Sequence, residues 1–245
     1  MERKKNWLIA ALLLITFTQV RADYRSDVYS AYITNRMELW KSVIDRMNSQ
    51  PDKSDDLLME LLNYQYGYIG YCIGFDKKDE ARVYLNIAQK NLDLLEKKKY
   101  NPGVINAYRS AFYGFRIGLN PVTAPVNGLR SIDCAKTAIK LDPGHYLGYV
   151  QQGNIQFYMP STFGGSKKEA LQHYLKAREL LEKDPASIKG NWNYLSLLVV
   201  IGQTHTYLKD YSSAQKVYEF IMHTEPGFTY VRDDLYPKLL KQMQN

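Results

Sequence analysis

The chain has 245 residues, 45% of them hydrophobic and 23% charged, an ordinary globular balance that excludes wholesale disorder. Two cysteines exclude a disulfide-dense scaffold and any multi-cysteine zinc or iron–sulfur site, and four scattered histidines leave little for a metal centre. The formal charge of +7 overstates the basic character, because Arg3, Lys4, Lys5 and Arg21 against Glu2 put three of those charges in residues 1–22. Nucleic-acid binding needs a basic face that neutralises several phosphates together. The longest basic run here, Lys97-Lys98-Lys99, reads as a solvated helix end that complements the macrodipole.

Residues 1–22 have the parts of a cleaved secretory signal in order: a charged start, the apolar run Trp7 to Phe17, then Val20-Arg21-Ala22. The run is shorter than the roughly 20 residues that span a bilayer. A retained anchor is the alternative. The mature chain is expected to be exported, in a periplasm, and not to span the membrane. Next, Ser26 or Asp27 caps a helix predicted through about Asn48, with Tyr29, Ile33, Met37, Trp40, Ile44 and Met47 on one stripe. Tyr64 to Tyr68 alternates like a strand, but the longer window Leu61, Tyr64, Tyr68, Cys72, Phe75 has helical spacing and decides for helix.

From there the chain repeats. Gly114 overlies Gly153, Pro121 overlies Pro160, Ser131 overlies Ala170, Ala135 overlies Tyr174 and Ala138 overlies Ala177, all at one offset without a gap. Gly202, Ala214, Tyr218, Ile221 and Pro226 make a later unit; Gly67, Ala81, Leu85 and Ala88 make an earlier one. Each glycine inside a helix costs about 1 kcal/mol against alanine. A paired helix packed close, with Ala or Ser opposite, is the simplest offset. Pro237 then opens a polar last helix ending near Gln244.

The spacing of residues 202–226 resembles a tetratricopeptide (TPR) repeat, and the resemblance extends over residues 57–228 as four helical hairpins. It implies an all-α, right-handed helical-hairpin solenoid with N- and C-terminal capping helices. The layout is then a signal in 1–22, an N-terminal helix and linker in 23–56, the hairpins in 57–228 and a capping helix in 229–245. The loop Pro160-x-x-Phe163-Gly164-Gly165 is similar to that of exported TPR proteins such as the T-component family associated with TRAP transporters. Members of that family are often lipid-anchored, and this chain lacks the anchoring cysteine.

Catalytic motifs are missing: there is no His-Glu-x-x-His, Gly-x-Ser-x-Gly, P-loop or calcium loop. The chain is read as a non-enzyme with no cofactor and no metal site. Gly164-Gly165-Ser166-Lys167-Lys168-Glu169 has two readings, a Ser-x-x-Glu capping box or an anion site; capping explains every residue but the lysines. Cys72 and Cys134 are read as buried thiols rather than a bridge. The most informative feature is 21 tyrosines against 8 phenylalanines. In TPR geometry the first helices line a concave groove, which implies that Tyr64, Tyr68, Tyr71, Phe115, Asn154, Phe157, Tyr158, Gln203 and Tyr207 face it. Tyrosine offers a flat apolar face plus a hydroxyl, suited to peptide or small organic ligands. Packing between repeats is the competing role, and both are expected. The functional expectation is an exported scaffold holding a protein or peptide partner, with a solute-binding accessory of a transport system as the alternative.

Overall fold

The computed structural model describes residues 23–244. The expected signal, residues 1–22, lies outside the described residues. Among these, twelve α-helices and no strand make an all-α array. In chain order they are α1 (Tyr24–Ile33), α2 (Met37–Asn48), α3 (Asp55–Gly74), α4 (Lys78–Lys97), α5 (Pro102–Leu119) and α6 (Ala124–Leu141). Then come α7 (Tyr146–Tyr158), α8 (Lys167–Glu182), the single turn α9 (Pro185–Ile188), α10 (Trp192–Tyr207), α11 (Tyr211–Thr224) and α12 (Tyr236–Met243). A π-helical stretch, Tyr230–Leu235, leads into α12. No helix among the described residues is long and apolar enough to cross a membrane.

Four hairpins pair in sequence: α3 with α4, α5 with α6, α7 with α8, and α10 with α11. Local chemistry sets their starts. Ser54, Asn101, Ser166, Asn191 and Asp210 each accept a backbone N–H from the first turn of the helix they precede. The second and third hairpins share one more detail. Pro121–Thr123 and Ser161–Phe163 form similar 3₁₀ turns, one residue out of phase with the Pro121/Pro160 repeat. The phased alanines and aromatics Ala135, Ala138, Ala170, Tyr174, Ala177, Ala214, Tyr218 and Ile221 are all buried, as a shared inner stripe requires.

The phased glycines have different neighbours from those the repeat suggested. A methyl added at Gly202 would meet the Tyr218 ring, and one at Gly153 the Tyr174 ring. The paired helix does approach closely, but it presents a tyrosine face rather than Ala or Ser. Gly67 instead faces Trp192 and Trp40, at 2.6 and 2.7 Å from the added carbon, and Gly114 faces open space. The serine contact does occur one turn earlier, where Ser110 and Ser131 each donate to the other's carbonyl at 2.8 and 2.9 Å.

Residues 23–56 hold two helices where the pattern predicted one. The chain turns at Thr34 to Arg36, with Asn35 in the left-handed region (φ 56°), a conformation asparagine tolerates. The α1/α2 hairpin does not cap one end of the array; it joins its first and last units. On one side, the Trp40 indole N–H donates to the Tyr64 carbonyl and Tyr84 donates to Asp45. On the other, Tyr29 donates to Glu225 at 2.6 Å, Thr229 donates to the Ile33 carbonyl and Arg25 donates to the Lys189 carbonyl. Trp40 and Trp192 meet edge to face between them, ring centres 4.9 Å apart. Cys72 and Cys134 are both free thiols, and burial pushes the Cys72 thiol up to about 11.

Candidate functional site

Superhelical winding brings the first helix of unit one against those of all three others. Its centre is Tyr66 on α3. The Tyr66 ring stacks on Phe115, meets Tyr108 edge-on at 5.6 Å, and lies 6.3 Å from Trp192 of α10. From α7, the Gln151 amide donates to the Tyr66 hydroxyl at 3.3 Å. Burial raises the Tyr66 phenol, so it stays protonated. These contacts fill the inner face at the level of the phased glycines. Beyond that level, at the C-terminal ends of α7 and α10, Tyr158 and Tyr207 are exposed.

The expected groove residues divide along that boundary. Tyr64 is buried under the Trp40 ring and donates to Glu60. Tyr68 is buried against Tyr84 of its paired helix and donates to Glu80. Both serve packing. Tyr71 is half-buried against Phe75, with Lys77 over its ring. Phe115 forms part of the filled floor. Asn154 and Gln203 sit at the transition: Asn154 accepts from Tyr174, and the Gln203 amide reaches the Tyr230 hydroxyl at 3.5 Å. Phe157, Tyr158 and Tyr207 form the open part. The Tyr158 and Tyr207 rings are 75% and 68% exposed, while Phe157 packs edge-on to both, at 5.0 and 5.5 Å. Desolvation by the surrounding protein still raises the Tyr158 phenol.

The Pro160–Gly165 loop flanks this mouth. Phe163 is 76% exposed. Gly164 has φ 93°, where only glycine sits without strain, and Gly165 lies too close to the Met159 carbonyl for any side chain. Ser166 accepts from the Glu169 N–H at 3.2 Å, so the N-cap half of the expected box forms, but the Ser166 N–H donates to Gln156 and not to the Glu169 carboxylate. Capping does not use Lys167. Its ammonium donates to the Phe157 carbonyl and lies over the rings of Phe157 and Tyr207, 4.1 and 5.1 Å from their centres. Desolvation lowers its pKa.

Sequence reading missed Tyr66, Gln151, Trp192 and Tyr230 as neighbours of this face, and raised Lys167 only as half of an anion-site alternative. Trp192 carried a signal, since a tryptophan just after Gly190-Asn191 is a costly residue to leave in a linker. The others depend on how tightly the array winds, which no repeat spacing reports.

Neither a family model nor a curated protein matches the chain. A solved structure does: the HusA haemophore from Porphyromonas gingivalis, at TM-score 0.59 and 17% identity, over 77% of this chain and 94% of that one. At that identity the likeness is one of fold.

Proposed function

We propose that the chain is an exported, non-catalytic carrier, a TPR-like array that holds a flat, largely apolar small molecule at the aromatic mouth between α7 and α10. One observation carries this reading: packing is closed at Tyr66 and Trp192, while Tyr158 and Tyr207 stand exposed at the ends of α7 and α10 with Phe157 edge-on to both. An extended peptide needs a continuous trough, and the filled floor interrupts one. Neighbouring exposed aromatic rings instead offer stacking surface for a ring system. The signal-like residues 1–22 support export to a periplasm. The haemophore likeness supports a carrier rather than an enzyme and makes a porphyrin the first ligand to try.

The test is a titration with ferric protoporphyrin followed by absorbance and by melting temperature. Saturable binding is expected, with stabilisation of about 2.7 kcal/mol when free ligand is 100 times the Kd. Tyr158→Ala and Tyr207→Ala should weaken it by about tenfold, on the order of 1.4 kcal/mol, without lowering the melting temperature of the free protein. No saturable binding of porphyrin or of a neutral naphthylamine probe would sink the reading.

A second reading, a polypeptide partner, is favoured by one different observation. The turns inside the four hairpins lie along one edge, and they expose Phe75, Val122, Phe163 and Leu208 in succession. Binding of a protein partner that Phe163→Ser abolishes, with no small-molecule binding, would select it.

A further inference from the structure

Resting on the small-molecule reading above, we infer that the ligand of this mouth is an anion, a ring system bearing a carboxylate or sulfonate that Lys167 receives. Three observations meet here. Lys167 lies over the Phe157 and Tyr207 rings, so its charge stands at the edge of the same open aromatic surface. No carboxylate of a described residue pairs with it; its donor goes to the Phe157 carbonyl, which leaves its charge uncompensated. The other polar groups at the mouth, Asn154, Gln203 and Tyr230, are neutral, and the carboxylate nearest Tyr230, Asp234, is paired with Lys238 at 2.7 Å. A lysine held against apolar rings has already lost part of its water. An incoming anion therefore meets a partly stripped ammonium beside a stacking surface, and the two attractions act on one molecule. Neutral aromatic ligands gain only the second. The Ser166 N-cap of α8 fixes the backbone from which Lys167 projects, which keeps the charge at this place without being part of the site.

Two matched fluorescent probes test it: 8-anilinonaphthalene-1-sulfonate, an anion, and N-phenyl-1-naphthylamine, its neutral counterpart. Each is titrated into the folded chain and into K167Q, K167R and K168Q, with melting temperatures measured for all. The sulfonate is expected to lose about tenfold in affinity in K167Q, to keep it in K167R and K168Q, and to weaken with salt. The neutral probe should bind all four proteins alike. If the neutral probe binds but K167Q leaves the sulfonate unchanged, the anion inference is wrong and the aromatic mouth stands. If K168Q weakens the sulfonate as much as K167Q, the charge is diffuse and the assignment to Lys167 is wrong. If neither probe binds, the small-molecule reading falls and this inference falls with it.

Discussion

Gly114 and Gly202 occupy the same repeat phase, and alanine should have opposite effects at the two. At Gly114 an added methyl meets nothing within 4 Å. Only the backbone term remains, and Gly→Ala in a helix interior should stabilise by about 1 kcal/mol. At Gly202 the same methyl would lie 2.9 Å from Cδ1 and Cζ of Tyr218, with Cε1 closer still. Tyr218 is 2% exposed and cannot swing away. Overpacking of this kind costs about 1–3 kcal/mol, and so close a contact belongs at the upper end. Subtracting the backbone gain leaves about 2 kcal/mol of net destabilisation. For a chain of this size about 1 kcal/mol moves the melting temperature by roughly 2–4 °C. Gly114→Ala should therefore melt roughly 2–4 °C higher and Gly202→Ala roughly 4–8 °C lower, by that conversion. Thermal unfolding followed by circular dichroism reads both. Adding Tyr218→Leu to Gly202→Ala should cost less than the sum of the two single changes. Shifts of the same sign and size at the two glycines would refute the packing argument.

The tie between the first and last units should depend on Tyr29. Tyr29→Phe removes the hydrogen bond to Glu225 and should cost about 1–2 kcal/mol, given that the pair is partly buried. Urea unfolding of the variant checks it, and an unchanged midpoint would count against the tie. The His145 ring caps α7 by accepting the Leu147 N–H at Nδ1, which only the unprotonated nitrogen can do. Burial lowers its pKa below the usual 6.5, with Asp142 opposing. Below about pH 6.5 the unfolded chain takes up a proton that the folded chain resists, so stability should fall with pH until the folded value is reached, then level. His173, also lowered by burial, adds to the same window. His145→Asn keeps an acceptor at the cap, and melting curves from pH 7.5 to 5 should show a shallower acid loss.

The hairpins were legible in the sequence because each rests on local rules. Gly202, Ala214, Tyr218 and Ile221 carry helical spacing, and Ser166 marks a helix start that the structure caps as expected. The inner face was legible only in part. Tyr64 and Tyr68 sit at positions that face inward by repeat logic, yet Trp40 and Tyr84 cover them. Repeat spacing fixes which side of a helix a residue occupies. It does not fix how far the array winds, and winding decides whether that side is open. The break at Asn35 was hidden for another reason. The apolar stripe of residues 29–47 continues in phase across it, so periodicity could not see the turn.

The α1/α2 hairpin changes how this array should come apart. A solenoid of stacked hairpins ordinarily behaves as a row of units coupled to nearest neighbours, so it can fray from either end. Here the Tyr29–Glu225 and Ile33–Thr229 contacts link residues 196 positions apart. Neither terminal unit can peel away while that link holds. Unfolding should then be cooperative across the whole chain, with hydrogen exchange of unit one and unit four rising together. Folding should be slower than that of an open array of equal helix content, because the last contact closes nearly the full length of the chain.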